Sequence, residues 1–421
     1  MMGPISAWNW QPAGNSSGHD IVKVVMCPPK ISTMNIGIFT DCYTPTKNGV
    51  VTSILQSKEG LERRGHKVVV LTVDTPRLKG QDTTVYRFPS IPFNSDIDVR
   101  LALTNQRCVN QIVQGEHIDI IHTHTEFSVG WAAKRAARRF GLPLVHTAHT
   151  MYEAYRHYLF LGRWVPAWMI RKWLDLFLRN HTALICPSTK SQDYFTSYIP
   201  HIKTVVVGNG VCKARFKPGL LTRQQVIQTR KTLGIQPGDR VIVYVGRIAE
   251  EKRVLELLSA LTPLLQKHSH FKALFVGRGP SYPQMIREAC RNNICGQTIF
   301  TGYVDWEQMY KLYSIADVFA TASLSEIHPM TLIEASMCGL PVVARRDDAY
   351  VGLIEDDYNG YLVDTDAAIV ERLSEILGDE AKLTELSENS LTLSDRFNAE
   401  THVEKLESLY RQILSNGAAS L

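Results

Sequence analysis

No run of eighteen apolar residues occurs in the 421-residue sequence, so no segment is expected to cross a membrane as a helix. The residues before Met34 lack the basic start and the apolar stretch of a secretory signal. The eight cysteines include no C-x-x-C pair and no histidine-flanked spacing, which argues against a zinc site and against a disulfide framework. These absences favour a protein of the reducing cytoplasm, with residues 1–33 as a loose leader.

Strand and helix patterns alternate from Met34 onward. Apolar runs such as "KVVVLTV" and "RVIVYV" are typical of buried strands, and Gly65 follows an amphipathic helical segment as a stop signal. Strands that alternate with helices indicate parallel, doubly wound α/β sheets. A glycine-rich seam near "GNGVC" separates two such series. We therefore predict two facing Rossmann-like domains with a deep interdomain cleft, over residues 34–207 and 208–399, and a helix at 400–421 that completes the first domain.

The charges are unevenly distributed along the chain. Basic residues outnumber acidic ones in residues 1–300, and acidic residues outnumber basic ones in residues 301–421, although the net charge is only +5. A cationic first part of the chain favours partners that carry phosphate or an anionic surface. Alternatively, these basic residues only form a solvated face of the protein.

Two glutamates, Glu326 and Glu334, stand eight residues apart in "SEIHPMTLIEASMCG". Pro329 lies near the start of a predicted helix and Gly339 follows its end, the asymmetry that helices favour. Eight residues of helix would separate the two carboxyls by about 12 Å, more than the roughly 5 to 9.5 Å between the paired carboxyls of glycosidases. The spacing suits the two ends of a long ligand, with the helix start facing an anion. A solvent-exposed Glu334 on an ordinary helix explains the spacing equally well.

A second motif, "YVGRIAEEK", places Arg247 and Lys252 just after a predicted strand. A guanidinium and an ammonium at the carboxyl end of a strand can neutralise a diphosphate. Taken alone, the two cations are also consistent with ordinary surface charges. Together with the glutamate pair, they favour a binding site.

Along the chain, "YVGRIAEEK" is followed by "VGRGP", then by the Glu326 and Glu334 pair, and then by "CGLPVVA". This order of motifs resembles the second domain of retaining GT-B glycosyltransferases of the glycogen-synthase-like group. The stretches "GIFTDCYTPTKNGVVTSI", "HTHTEFSVG" and "HTAHT" resemble the first domain of that family, in the same order. The resemblance implies an acceptor-binding N-terminal domain and a C-terminal domain that binds a nucleotide sugar. It also implies a retaining hexosyltransferase that needs neither a metal nor another cofactor.

The same resemblance assigns roles to individual residues. It implies that Arg247 and Lys252 hold the donor diphosphate and that Glu334 contacts the ribose. The implied catalytic residues are Glu326, His149, Arg247 and Lys252. The implied donor-binding residues are Gly49, Gly246, Arg247, Lys252, Gly277, Glu326, His328, Pro329, Met330, Thr331 and Glu334. The implied acceptor-binding residues are Tyr43, Asn48, His124, Glu126, His149 and Tyr152.

The sequence departs from the family pattern at several positions in these motifs. Ile327, His328 and Pro329 stand where the family commonly has glycines, Arg278 replaces an acid in "VGRGP", and Cys212 replaces an acid after "NGV". Because proline has no backbone N–H, contacts to the sugar are expected to shift to neighbouring amides. These departures bear on the identity of the donor hexose and base.

Two D-x-D triplets raise the question of a metal site. They are Asp96 with Asp98 and Asp364 with Asp366, and neither pair follows a convincing central strand. We interpret all four as loop acids and predict no metal site.

The acceptor is suggested by aromatic and basic residues between positions 130 and 180. Helical spacing in "GWAAKRAARRF" places alanines on one face and cations on the other, and three tryptophans follow within the next stretch. Rings and cations of this kind suit a lipid headgroup layer; a packed helix with solvated arginines is the alternative. The residues predicted to face a membrane are Trp131, Lys134, Arg135, Arg138, Arg139, Trp164 and Trp168.

Within the family, "HTHTEFSVG" with "HTAHTMYEAYRHYL" is most similar to bacterial diacylglycerol glucosyltransferases. That likeness implies transfer of glucose from UDP-glucose to diacylglycerol on the anionic inner face of the cell membrane, and no nucleic-acid partner. A transferase that uses a soluble sugar or polyol, a sugar-nucleotide epimerase and a non-catalytic nucleotide-binding protein remain alternatives. A dehydrogenase is poorly supported, because no G-x-G-x-x-G opens a helix after the first strand.

Overall fold

The computed structural model describes residues 33–76, 82–94, 99–152 and 166–418. In these residues, the alternating strands and helices form two parallel sheets. In this part of the chain, the first sheet has the strand order β3-β2-β1-β6-β7-β8-β9. Its strands are β1 (Asn35–Phe39), β2 (Lys67–Val73), β3 (Val85–Phe88), β6 (Ile120–Thr123), β7 (Leu144–Thr147), β8 (Ala183–Cys186) and β9 (Thr204–Val206). A separate antiparallel hairpin, which the sequence pattern did not reveal, consists of β4 (Ser90–Asn94) and β5 (Val99–Ala102).

Helices cover both faces of this first sheet. They are α1 (Gly49–Arg63), α2 (Gln106–Gly115), α3 (Ser128–Phe140), α4 (Ala167–Leu178) and α5 (Thr189–Thr196). Strands such as β6 and β8 are buried along their whole length, as expected of parallel strands that are covered on two sides. Helix α3 ends where the sequence predicts, because Gly141 adopts the left-handed conformation at its C-cap.

The second sheet has the strand order β12-β11-β10-β13-β14-β15. Its strands are β10 (Arg240–Val245), β11 (Phe271–Val276), β12 (Thr298–Gly302), β13 (Val318–Thr321), β14 (Val342–Arg345) and β15 (Gly360–Val363). The helices that follow α5 are α6 (Arg223–Thr232), α7 (Val254–Lys267), α8 (Tyr282–Arg291), α9 (Met309–Tyr313), α10 (Met330–Met337), α11 (Asp366–Gly378), α12 (Glu380–Ser394) and α13 (Ala399–Ala418). Two hydrophobic clusters flank this sheet, one on each face. The prediction of two Rossmann-like halves is confirmed.

The chain passes between the two halves twice. Val211 donates its amide to the carbonyl of Phe397 at 2.9 Å, and Ala399 donates to the carbonyl of Val211 at 2.9 Å. After this double crossing, α13 returns to the first sheet, where Val403 and Tyr410 join its core. We call the first sheet with its helices and α13 the N-terminal lobe, and the second sheet with its helices the C-terminal lobe.

One disulfide departs from the expectation of unpaired cysteines. Cys290 and Cys295 are bonded across the turn that follows α8. Spacing rules based on C-x-x-C pairs do not detect it, because four residues separate the two positions. The other cysteines in the described ranges, Cys42, Cys108, Cys186, Cys212 and Cys338, carry free thiols.

Within residues 33–76, 82–94, 99–152 and 166–418, none of the helices combines the length and the apolar character that a membrane span requires.

Candidate active site

The candidate donor site lies where β10, β11 and β13 end. Gly246 follows β10 with a φ of 159°, and Gly277 follows β11 with a φ of 137°. A Cβ atom on Gly277 would lie 1.9 Å from the carbonyl oxygen of Gly246. The two loops therefore pack backbone against backbone, which requires glycine at position 277. This packing fixes the backbone that leads into Arg247.

An ion pair between Lys252 and Glu326 lies at the centre of this site. Lys252 ends the 3-10 helix Glu250–Lys252, Glu326 lies in the loop between β13 and α10, and Nζ is 2.7 Å from Oε1. The Ser323 hydroxyl donates a further hydrogen bond to Glu326 Oε1 at 2.9 Å. Burial raises the pKa of Glu326, but the Lys252 ammonium and the Ser323 hydroxyl outweigh burial and leave this pKa below its ordinary value. The carboxyl is therefore ionised at neutral pH.

Arg247 lies beside this pair. Its Nε is 4.0 Å from Glu251 Oε1, and the Ser325 hydroxyl donates to the backbone carbonyl of Glu251 at 2.8 Å. The loops after β10 and β13 are thus joined, as expected for two strands that pair directly in the sheet. The structure brings Arg247, Lys252, Glu326 and the start of α10 together at one edge of the sheet.

Glu334 lies in the middle of α10 and is almost fully buried, with 2% of its surface exposed. Its two oxygens accept hydrogen bonds from Trp306 Nε1 at 2.8 Å and from the Tyr313 hydroxyl at 2.9 Å. A carboxylate oxygen can accept a second hydrogen bond, so the ribose contact implied by the family resemblance would have to be shared with these donors. Burial raises the pKa of Glu334 to about 7, although both hydrogen bonds act to lower it.

The raised pKa of Glu334 predicts a specific pH dependence of stability. Folding raises this pKa from 4.5 to about 7, so the folded protein holds a proton that the unfolded chain releases above pH 4.5. The stability associated with this proton is complete at low pH and is lost as pH rises through about 7. The difference in unfolding free energy between wild type and Glu334→Gln, measured by urea denaturation, should fall by about 2 kcal/mol from pH 5 to pH 8. The exposed control Glu371→Gln should show no such trend, and a constant difference for Glu334→Gln would contradict the assignment.

The loop that departs from the family pattern contacts the segment in which the chain passes from the N-terminal lobe to the C-terminal lobe. The Asn209 side-chain amide donates to the backbone carbonyl of His328 at 3.1 Å. A Cβ atom on Gly208 would lie 2.9 Å from His328 Nε2, so the imidazole packs directly on this glycine. Pro329 occupies the N-cap position of α10 without a side-chain cap. Of the other predicted donor residues here, Met330 is buried, and Thr331 accepts a hydrogen bond from the Tyr313 hydroxyl through its carbonyl.

His149 and His124 form a stacked pair on the N-terminal side. His124 Nδ1 is 2.9 Å from His149 Nε2, and the ring centroids are 5.2 Å apart. His122 packs on the other side of His124 with a centroid distance of 4.1 Å. Burial, together with His146 and His402, lowers the pKa of His149 to about 3. His149 is therefore a neutral imidazole at physiological pH, able to donate or accept a hydrogen bond but not to supply a positive charge.

Other predicted acceptor residues are engaged inside the N-terminal lobe. Glu126 is buried and its carboxylate accepts hydrogen bonds from Tyr152 and, at 3.1 Å, from His146. Both oxygens of this buried carboxylate therefore have hydrogen-bond partners, as burial requires. The structure therefore places Glu126 and Tyr152 in a network beneath the cleft, rather than with side chains directed at an acceptor.

Asn48, Gly49 and Tyr43 lie around the start of α1. The Asn48 side chain caps the helix by accepting from the amide of Val51 at 3.0 Å. No atom lies within 4 Å of the position that a Cβ would take on Gly49, so this helix start is open. Tyr43 is buried, with the Arg87 guanidinium 5.8 Å from its ring centroid.

Contacts between the lobes involve residues that the sequence did not single out. Lys47, in the loop before α1, pairs with Asp305 beyond β12. Lys190, in the first turn of α5, pairs with Asp347 at 2.6 Å. A lysine carries no sequence signal for such a role, because its partner lies far along the chain.

The predicted membrane-facing residues divide into two groups. Arg135, Arg138, Arg139 and Trp168 are exposed, and 63% of the Trp168 surface is accessible. Trp131 and Lys134 do not belong to this surface, because they pack against α4. Trp164 lies outside the described residues.

The contacts of Trp131 and Lys134 correct the helical-wheel prediction. The Trp131 ring lies 5.5 Å from that of Phe177, and Lys134 Nζ donates to the carbonyls of Leu176 and Phe177 at 2.6 Å each. Lys134 therefore caps the C-terminus of α4, where a cation is favourable. Burial also lowers its pKa to about 8.

The structure adds apolar residues that the sequence prediction missed. Met169 is 47% exposed and Leu176 is 53% exposed on α4, and Ile91 on the β4–β5 hairpin is 51% exposed. Helices α3 and α4 are in contact through Trp131 and Lys134, and both helices expose side chains on the same lobe.

Of the D-x-D acids, only Asp364 and Asp366 lie in the described residues, and both are paired with arginines. Asp366 pairs with Arg253 at 2.7 Å and with Arg345 at 2.9 Å, and the side chain of Asp364 pairs with Arg346. Asp96 and Asp98 lie outside the described residues. Among the residues that the structure describes, no group of three or more histidines, cysteines or acids is arranged to hold a metal ion.

Family models match both halves of the chain. Residues 47–215 match the family model described as Glycosyltransferase Family 4, and residues 225–392 match the one described as Glycosyl transferases group 1. The second match covers Arg247, Lys252, Glu326 and Glu334.

The chain is also similar to individual proteins. The Alpha-monoglucosyldiacylglycerol synthase of Streptococcus pneumoniae is 33% identical over 345 residues, which cover 81% of this chain and 78% of that protein. The Alpha-monoglucosyldiacylglycerol synthase of Acholeplasma laidlawii is 30% identical over 396 residues, which cover 92% and 99%. The structure of sucrose-phosphate synthase from Thermosynechococcus elongatus has the same fold, with a TM-score of 0.74 at 19% identity, over 91% of this chain and 100% of that one.

These likenesses extend over nearly the whole described chain and include both lobes and the residues at their facing edges. The chain belongs to the GT-B glycosyltransferases, in which a Glycosyltransferase Family 4 domain is followed by a Glycosyl transferases group 1 domain.

Proposed function

We propose that this glycosyltransferase moves glucose from UDP-glucose to the free hydroxyl of diacylglycerol at a membrane surface, with retention of the anomeric configuration. The proposal places the enzyme on the cytoplasmic face of the cell membrane as a peripheral protein. The observation that carries it is the joint presence of a cationic donor site and an apolar, cationic surface on α3 and α4, in a chain about one-third identical to a monoglucosyldiacylglycerol synthase.

The donor side of the proposal rests on charge. Lys252 pairs with Glu326 in the loop that leads into α10, and Arg247 lies in the same loop as Lys252. The first turn of α10 has backbone N–H groups that are unpaired within the helix. As the bond between sugar and phosphate breaks, negative charge accumulates on the departing diphosphate. Cations and a helix start held in place in advance stabilise this charge more than that of the intact donor. We propose that they do so without a metal ion.

Glu326 is proposed to bind the hexose. Its carboxylate is ionised and held by Lys252 and Ser323, so it has oxygens available to accept hydrogen bonds from sugar hydroxyls. His149 is proposed to reach the sugar from the other lobe, because its low pKa leaves a neutral imidazole that can form a hydrogen bond.

The acceptor side of the proposal rests on the surface of α3 and α4. Trp168, Met169 and Leu176 expose apolar side chains on α4, and Arg138 and Arg139 expose cations on α3. Aromatic and apolar side chains enter the headgroup layer while cations attract anionic lipid. Docking by this surface would bring a lipid-embedded hydroxyl to the N-terminal side of the cleft.

In the direct test, the enzyme is incubated with UDP-[14C]glucose and with vesicles that contain diacylglycerol and anionic lipid. The label in the extracted lipid is then counted. The proposal expects a labelled glycolipid with an α-linked glucose by NMR, and unchanged incorporation when EDTA is added. Label transferred only to soluble sugars or polyols would contradict the lipid acceptor, and an altered nucleotide sugar without transfer would indicate an epimerase.

The same vesicles test the docking surface by flotation. The double variant Arg138→Ser/Arg139→Ser should bind anionic vesicles more weakly by about 1 kcal/mol per charge removed. Arg287→Ser/Arg291→Ser removes the same charge from exposed positions on α8 of the other lobe and should bind as wild type does. Equal binding by both double variants would show that the α3 cations are merely solvated.

A further inference from the structure

Lys190 belongs to the N-terminal lobe but makes its hydrogen bonds with the C-terminal lobe. Its ammonium lies 3.1 Å from the carbonyl oxygen of Leu324, 3.2 Å from that of Glu326 and 2.6 Å from both carboxylate oxygens of Asp347. An ammonium has three N–H donors. Two carbonyls and one carboxylate use all three, and only 17% of the side chain is exposed.

The stability of α5 does not explain a lysine at this position. Lys190 is in the first turn of the helix, where the helix dipole disfavours a positive charge. The N-terminus of α5 is already satisfied by a capping box between Ser188 and Ser191. The lysine therefore weakens its own helix slightly, and its favourable interactions lie across the cleft.

The contacts of Lys190 reach Glu326 by two routes. The first is direct, because the ammonium binds the carbonyl oxygen of Glu326 itself. The second passes through Asp347, which accepts from the amide of Ala349 and so caps the 3-10 helix Asp348–Tyr350. The Tyr350 hydroxyl in turn donates to the carbonyl of Ser323 at 3.0 Å, and the Ser323 hydroxyl binds the Glu326 carboxylate.

We propose that Lys190 is a positioning residue that fixes the loop Ser323–Pro329 when the two lobes are together, and so aligns Glu326 and Lys252 for transfer. The alignment depends on the N-terminal lobe, because the lysine bonds exist only while α5 lies against the loop after β13. The loop that carries Glu326 is thus held by groups from both lobes. This inference rests on the proposed donor roles of Glu326 and Lys252.

The test compares Lys190→Met, which keeps the length of the side chain but removes its donors, with Lys190→Arg. Lys203→Met, at an exposed lysine of the same lobe, is the matched control. With UDP-glucose as donor, Lys190→Met should lower kcat by about tenfold or more, since small misplacements of positioned groups have effects of this size. Its affinity for UDP should stay within about twofold of wild type, because UDP lacks the hexose. Lys190→Arg should recover part of kcat, and Lys203→Met should match wild type.

Hydrogen–deuterium exchange provides a readout that does not depend on turnover. Amides of residues 323–328 should exchange several-fold faster in Lys190→Met than in wild type or Lys203→Met. A kcat within twofold of wild type, a parallel loss of UDP affinity, or unchanged exchange in this loop would each overturn the proposal. An inactive wild type would contradict the proposed function instead, and the exchange measurement would still decide the role of Lys190.

Discussion

Lys252→Ala is expected to lower kcat/KM for transfer from UDP-glucose by on the order of 10²- to 10³-fold. Lys252 carries a fixed positive charge at the carboxyl end of β10, 2.7 Å from Glu326. Its ammonium is most valuable when negative charge moves onto the departing diphosphate, so its loss raises the barrier more than it weakens donor binding. Glu326→Gln should have an effect of similar size. The measurement is initial-rate kinetics over a range of donor concentrations.

Two comparisons separate this effect from a general loss of structure. Lys267→Ala and Glu371→Gln change exposed residues of the same lobe by the same substitutions and should behave as wild type. The double variant Lys252→Ala/Glu326→Gln should be little worse than either single one, because the two residues act as a unit. Near wild-type turnover in either single variant would remove that residue from the catalytic site.

Gly277→Ala is expected to disrupt the donor site by displacing a neighbouring backbone segment. Its Cβ would lie 1.9 Å from the carbonyl oxygen of Gly246, at a φ of 137° that side chains rarely adopt. The neighbouring atom belongs to the backbone, so the loop that carries Arg247 must shift. Overpacking and backbone strain together should cost on the order of 3 kcal/mol of unfolding free energy, with loss of UDP binding.

The control for this substitution is Gly378→Ala at the end of α11. No atom lies within 4 Å of the Cβ position there, so the variant should be as stable as wild type. Thermal denaturation and UDP titration of both variants give the comparison. If Gly277→Ala melted and bound UDP as wild type does, the close approach of the two loops would not be a feature of the donor site.

The sequence predicted the architecture well because the relevant signals are local. Alternating apolar strands and amphipathic helices are determined by neighbours a few residues apart, and stop signals such as Gly141 act within one helical turn. The E-x7-E spacing likewise located Glu326 in a loop and Glu334 in the following helix. Each of these signals lies within about twenty residues of sequence.

Features that depend on distant contacts could not be predicted in this way. A helical wheel places Lys134 with the other cations of α3, but it cannot show that the end of α4 covers this residue. The sequence is equally consistent with a solvent-exposed Glu334. Its partners Trp306, in the 3-10 helix before α9, and Tyr313, in α9, are brought to it by tertiary packing. Lys190 has no local signal, because its role depends on the approach of another lobe.

The central claim is that Arg247, Lys252 and the start of α10 bind the diphosphate of the donor. Calorimetric titration of wild type with UDP and with uridine tests this claim most directly. We predict that wild type prefers UDP by about 100-fold or more, as expected for two charge-assisted hydrogen bonds, and that Lys252→Ala loses much of this preference. Equal affinity of wild type for UDP and uridine would contradict it.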